Sequence, residues 1–203
     1  MITPHKALFR KPPEAVAKVF LKLGFIPNGI TIFGLCMGIL TCVWFMQAQK
    51  PVLFGFLIIF WGLFDTVDGA AARLSNQTTK FGSYLDAMCD RIYDIAAAFA
   101  AAYVSGYWPL FLLLASGALL TSYAKARAAM EIPIENTEWP DFMERWERSV
   151  VFVIGLLLWG FFPGVRFLGR DLFFWILTLL TVAIYATIIQ RVLRAKRLIQ
   201  SRA

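Results

Sequence analysis

Apolar residues run through this chain in long stretches, and its polar residues gather in short clusters between them. A hydrocarbon core of about 30 Å needs roughly 20 apolar residues of helix per crossing. Six stretches qualify when their polar ends emerge at an interface: Ile26 to Met46, Pro51 to Arg73, Gly82 to Ser105, Trp108 to Met130, Ser149 to Phe162 and Leu172 to Leu193. The fifth is short and needs its Trp146 end or its Phe161-Phe162 end at the interface. Ahead of them, Ala15, Val16, Val19, Phe20 and Leu23 form an apolar helical stripe opposite Glu14, Lys18 and Lys22, after a Pro12-Pro13 start. That stripe predicts a helix lying on the membrane surface, with an ordinary solvated N-terminal helix as the plainer alternative. The pattern therefore predicts an all-α integral membrane protein, with a juxtamembrane amphipathic helix over residues 1–25 and one six-helix domain over 26–203. No internal repeat or long linker divides it.

Composition agrees with lipid rather than water as the solvent, since 59% of the 203 residues are hydrophobic and only 16% are charged. A net charge of +7 would point to nucleic acid in a soluble protein, but here the lysines and arginines follow topology, and no nucleic-acid partner is expected. Lys6, Arg10, Lys11, Lys18, Lys22, Arg73, Lys80, Arg91, Lys125, Arg127, Arg145, Arg148, Arg191, Arg194, Lys196, Arg197 and Arg202 fall on the side of both termini, against Lys50, Arg166 and Arg170 opposite. The positive-inside rule then puts both termini and the chemistry described below at the cytoplasmic face of the plasma membrane. The first 25 residues have no uninterrupted apolar core and do not resemble a cleaved signal peptide. Cys36, Cys42 and Cys89 lack metal-ligand spacing and read as packing residues, and His5 is assigned no role. Gly34-x3-Gly38 reads either as a helix-packing contact within the chain or as a dimer face.

Four aspartates interrupt this apolar pattern, in the string Asp65-x2-Asp68-Gly69-x2-Ala72-Arg73-x8-Gly82-x3-Asp86-x3-Asp90. A carboxylate near hydrocarbon costs on the order of 2.5 to 3.5 kcal/mol on insertion scales, so four together demand a shared cation or a wet cavity. Helical periodicity puts Asp65, Asp68, Gly69 and Ala72 on one face at the end of the second crossing, and Gly82, Asp86 and Asp90 on one face of the third. The polar connection Leu74 to Phe81 makes these helices an antiparallel pair whose acidic faces converge. Carboxylate ligation without His or Cys favours magnesium, manganese or calcium, and the first two suit phosphate chemistry. Gly69, Ala72 and Gly82 leave room for a ligand against the backbone, and Arg73 suits a diphosphate or serves as a topology anchor.

The string resembles the signature of the CDP-alcohol phosphotransferase family, every fixed residue type of which is present at its spacing. The resemblance implies a six-helix membrane fold, a homodimer, and transfer of a phosphatidyl group from a CDP-linked lipid to an alcohol with release of CMP. It implies two divalent ions, Mg2+ or Mn2+, held by Asp65, Asp68, Asp86 and Asp90, with Asp90 also the base that deprotonates the acceptor. It further implies that Asp65, Gly69, Ala72, Arg73 and Gly82 contact the cytidine diphosphate of CDP-diacylglycerol or CDP-archaeol. Pro27-Asn28 with Thr31 is similar to a family element near the nucleotide, which adds Asn28 and Thr31, although proline and asparagine also suit a helix start.

Ser122-Tyr123-Ala124-Lys125-Ala126-Arg127 and Glu144-Arg145-Trp146-Glu147-Arg148 are similar to segments of the phosphatidylinositol phosphate synthase branch. The likeness implies that Ser122, Lys125, Arg145 and Arg148 bind the phosphate of an inositol phosphate acceptor. A basic pocket suits a phosphorylated polyol better than serine or choline, although basic residues at cytoplasmic helix ends are expected in any membrane protein. A further contact from Arg191 or Arg194 is open. The acidic segment Glu131 to Asp141 departs from that branch's pattern. The alternatives are phosphatidylglycerol phosphate synthesis from glycerol 3-phosphate and, in a different class, a cation transporter, against which stands the gathering of the acids at one face.

Overall fold

Several helices begin or end where the sequence supplies a reason. The computed structural model describes residues 3–133, 139 and 142–202. Helix α1 spans Thr3–Lys22. Helix α2, Pro27–Ala48, starts on a proline and stops at Gln49, whose left-handed backbone (φ 52) lets its N–H reach the Phe45 carbonyl. Helices α3, Pro51–Phe64, and α4, Thr66–Leu74, follow. Helix α5, Lys80–Ser105, is capped by Thr79, whose hydroxyl accepts the Gly82 N–H at 2.9 Å. Helix α6, Trp108–Glu131, has a proline in its first turn, and α7, Arg145–Phe161, opens on a reciprocal Glu144/Glu147 capping box. Helix α8, Leu172–Arg202, is capped by Asp171, whose carboxylate accepts the Phe174 N–H at 2.8 Å.

Among the described residues, four helical segments are long and apolar enough to cross a membrane: Pro27–Ala48, Pro51–Leu74, Trp108–Glu131 and Leu172–Ser201. The chain is thus a mostly helical integral membrane protein. The other two expected crossings are helical, but α5 carries Asp86, Asp90, Arg91 and Asp94, and α7 has only 17 residues. Leu40, Phe56 and Leu63 in one part of the chain, and Leu112 and Leu179 in another, are exposed apolar side chains of the kind that lipid would cover.

Several expectations need correction. The second crossing is not one helix: it breaks at Asp65 between α3 and α4, where the Thr66 hydroxyl donates to the Leu63 carbonyl at 2.7 Å. Helix α1 runs through Pro12-Pro13 instead of starting there. Within its unit α1 packs through Ala17 with Phe20 and Leu21, and Val16, Val19 and Leu23 of the predicted stripe are exposed, as a face turned to lipid headgroups would be. The chain is also not wholly α-helical. Strands β1, Arg166–Phe167, and β2, Arg170–Asp171, pair antiparallel around Leu168 and Gly169, both at positive φ as a two-residue hairpin turn requires. Cys42 and Cys89 are buried as expected of packing residues, but Cys36 is exposed.

Two compact units are distinguished, Met1–Gln49 with Leu53–Ala100, and Lys50–Val52 with Ala101–Ala203. In the first, Ala17, Ile30, Val67, Ala70 and Ala71 form a buried cluster flanked by Phe20, Leu21 and Phe64. Gly34 and Gly38 serve packing within the chain: a Cβ would lie 3.2 Å from the Phe64 ring at Gly34 and 2.8 Å from the Tyr93 ring at Gly38. In the second unit Phe173 stacks on Trp159 at 4.8 Å, and Gly117 lets α6 close on Ile184 of α8.

Candidate metal centre and nucleotide cavity

The α4–α5 pair brings together the acids that the sequence placed on facing helices. One carboxylate oxygen each from Asp65, Asp68 and Asp86 lies within 4.8 Å of the others. Three hard oxygen donors converging so closely repel one another unless a cation sits among them, and the set fits a divalent ion of the magnesium, manganese or calcium class. Asp90 is not in this group. It lies one helical turn beyond Asp86 on α5, with the Arg91 guanidinium 3.9 Å from its carboxylate and 3.1 Å from that of Asp94.

Asp68 is buried and held from two sides. Thr31 on α2 donates its hydroxyl to one carboxylate oxygen at 2.5 Å, and the Gly69 N–H donates to the other at 2.5 Å. The Thr31 hydroxyl also lies 3.3 Å from the Pro27 carbonyl, but its single proton serves the shorter contact.

A cavity of about 240 Å³ opens beside these acids, lined by Asn28, Thr31, Asp68, Gly69, Ala72, Arg73, Gly82 and Asp86. All the donor-site residues that the family resemblance implies, Asp65 excepted, therefore share one wall or another of a single cavity. Gly82 is constrained: a Cβ there would stand 3.1 Å from both the Asn28 Oδ1 and the Thr79 Oγ1. Pro27, which the sequence paired with Asn28, and Ser83 also line the space, as do Gln77, Thr78 and Thr79, which the sequence did not assign to the site. The signal available for them was the polar connection itself, whose Gln77, Thr78 and Thr79 are side-chain hydrogen-bonding residues in an apolar chain.

The basic residues lie in the second unit. Ser122 and Lys125 are on α6, where the Ser122 hydroxyl donates to the Ala118 carbonyl at 3.3 Å. Arg145 and Arg148 occupy the first turn of α7, and the buried Arg148 donates to the Thr121 Oγ1 at 2.7 Å. The two C-terminal arginines separate: Arg191 is buried and donates to the Thr121 carbonyl, while the Arg194 guanidinium lies 5.9 Å over the Trp139 ring. Within the acidic segment, Glu131 pairs with Arg127 at 2.5 Å, and Glu135, Glu138 and Asp141 lie outside the described residues.

Comparison with known proteins gives a consistent picture. The sequence profile of the CDP-alcohol phosphatidyltransferase family matches residues 24–193. An archaetidylinositol phosphate synthase of Pyrococcus horikoshii is 29% identical over 199 residues, 97% of either chain. The crystal structure of Mycobacterium tuberculosis phosphatidylinositol phosphate synthase with CDP-DAG bound is similar with a TM-score of 0.77 and 29% identity, over 90% of this chain and 92% of that one. The same mycobacterial enzyme in complex with manganese and citrate gives a TM-score of 0.78 and 28% identity, over 90% and 88%.

Proposed function

The chain belongs to the CDP-alcohol phosphatidyltransferase family, a family of transferases, and on that premise we propose that it joins a CDP-linked lipid to inositol phosphate. The products are phosphatidylinositol phosphate, or its archaetidyl counterpart, and CMP. The observation that carries this reading is the cavity shared by Asn28, Thr31, Gly69, Ala72, Arg73 and Gly82 beside three converging carboxylates. The names of the relatives, synthases of inositol phosphate lipids, support the acceptor class.

Asp65, Asp68 and Asp86 would hold a divalent cation, and Asp90, one turn beyond Asp86, would be available to a second. Bound there, the metals supply charge neutralisation for the diphosphate and for the departing CMP. Arg73 orients the diphosphate from the cavity wall, and the small side chains at positions 69, 72 and 82 admit it against the helix backbone. Asp90 takes the proton of the attacking hydroxyl. The new bond forms between that oxygen and the lipid-side phosphorus, as the bond from this phosphorus to the CMP oxygen breaks and CMP leaves with the electron pair. Ser122, Lys125, Arg145 and Arg148 hold the acceptor's own phosphate, which is not consumed.

We read α5 and α7 as crossings as well, which gives six, with both termini and the chemistry at the cytoplasmic face of the plasma membrane. The exposed Val16, Val19 and Leu23 of α1, next to Lys18 and Lys22, suit a helix resting on lipid headgroups. The working form is a homodimer. Acceptor competition tests the reading: with CDP-diacylglycerol as donor, inositol 3-phosphate must outcompete glycerol 3-phosphate for product formation. Preference for glycerol 3-phosphate would overturn the acceptor and keep the donor.

A further inference from the structure

One fully buried side chain in the second unit lies at a junction that none of the acceptor assignments includes. Thr121 on α6 is 0% exposed, and two arginines that are themselves buried, Arg148 at 8% and Arg191 at 7%, both donate to it. Arg148 uses the hydroxyl, at 2.7 Å, and Arg191 uses the carbonyl. The hydroxyl's own proton goes to the Ala118 carbonyl at 2.8 Å, so its lone pairs are left facing Arg148.

Guanidinium groups are expensive to bury and lose their directional value if the side chain can swing. A neutral dipole cannot cancel their charge, but it can fix where they point. Lys125 follows Thr121 by one helical turn, so the two residues share a face of α6. Phosphate recognition by arginine depends on aligned donors, and misalignment weakens the bidentate contact more than it changes net charge.

We propose that Thr121 is a positioning residue for acceptor capture, orienting Arg148 through its hydroxyl while tethering Arg191 through its carbonyl. The proposal rests on the acceptor reading given above. It names a residue that does not itself touch the acceptor and acts through a guanidinium.

The test is steady-state CMP release by the purified full-length protein, with the KM for acceptor and for CDP-diacylglycerol measured separately. Thr121→Val keeps shape and removes the acceptor atom, and losing a hydrogen bond to a charged group corresponds to about tenfold or more. The KM for the phosphorylated acceptor should rise by about that factor, with the donor KM unchanged within about twofold, and Thr121→Ser should restore it. Thr187→Val removes an equally buried hydroxyl, one that donates to Ala183, and should leave both constants as in wild type. If the valine variant does not fold, Thr121→Cys keeps the volume with a weaker acceptor and should shift the acceptor KM in the same direction. Equal losses for donor and acceptor, or no rescue by serine, would overturn the positioning role. Because the series runs with whichever phosphorylated acceptor the wild type uses, a wrong acceptor identity shows in the wild type and a wrong role for Thr121 shows only in the variants.

Discussion

The Thr31 hydroxyl lies 2.5 Å from the Asp68 carboxylate, across 37 positions of sequence, and ties α2 to the acidic helix α4. With the Gly69 N–H on the other oxygen, the orientation of Asp68 is set by the protein and not by the cation it would hold. Partners of this kind typically change metal affinity 10–100-fold when removed. Thr31→Val should therefore weaken Mn2+ binding by about that factor, measured by paramagnetic resonance on the purified protein, and Thr31→Ser should restore it. An unchanged Mn2+ affinity would confine Thr31 to the nucleotide contact that the sequence resemblance implies.

The carboxylate trio makes its own prediction for the folded state. Adding Mn2+ at about 100 times its Kd should stabilise the protein by about 2.7 kcal/mol, seen as a rise in Tm in detergent. Asp86→Asn removes one of the three converging ligands and should abolish most of that rise, and a chelator should reverse it in the wild type. A Tm rise preserved in Asp86→Asn would move the cation elsewhere.

Close packing at Gly38 should be sensitive to a single methyl group. A Cβ there would stand 2.8 Å from the Tyr93 ring, so Gly38→Ala should destabilise by about 1–3 kcal/mol, read from thermal or denaturant unfolding. Gly62 has nothing within 4 Å of its would-be Cβ, and Gly62→Ala should be neutral or stabilising by about 0.5–1 kcal/mol.

Tyr107, in the short turn before α6, donates to the Asp171 carboxylate at 2.7 Å. Partial burial, and then this carboxylate, raise its phenol above the ordinary value of 10.0. A raised phenol means that the folded protein holds its proton more tightly than the unfolded chain. This contribution to stability is therefore complete below about pH 10 and is lost as pH rises through the higher folded value. Tyr107→Phe should flatten the fall of Tm above that pH and leave Tm at neutral pH lower by the lost hydrogen bond.

How far the sequence reached depended on which physical quantity each signal measures. Neither the helix break at Asp65 nor the place of Asp90 outside the trio was legible, but the spacing of Asp68 and Asp86 follows helical geometry, so their convergence was legible in the order of residues alone. So were Asn28, Gly69, Ala72, Arg73 and Gly82, because a resemblance built on residue identity carries position with it. Hydropathy, in contrast, reports partition into lipid and cannot tell an apolar side chain that meets lipid from one that meets protein. The packing of Ala17 and Phe20 of α1 at the buried cluster was therefore not legible from the stripe that Phe20 shares with Val16 and Leu23. The break at Asp65 and the Leu168-Gly169 hairpin are single-turn features inside or beside apolar runs, where a window of about 20 residues averages them away. That Arg191 reaches the Thr121 carbonyl while Arg194 lies over Trp139 depends on how α8 packs, which no local pattern encodes.

On the function proposed above, the acids of α4 and α5 support transfer from a CDP-linked lipid to a phosphorylated polyol. The most direct measurement is CMP release by the purified protein supplied with CDP-diacylglycerol, Mn2+ and inositol 3-phosphate, in wild type and Asp68→Asn. Release that requires both metal and the phosphorylated acceptor, and that falls by at least about a thousandfold in Asp68→Asn, is the predicted result. Release that persists in Asp68→Asn, or that proceeds equally well with free inositol, would contradict the account.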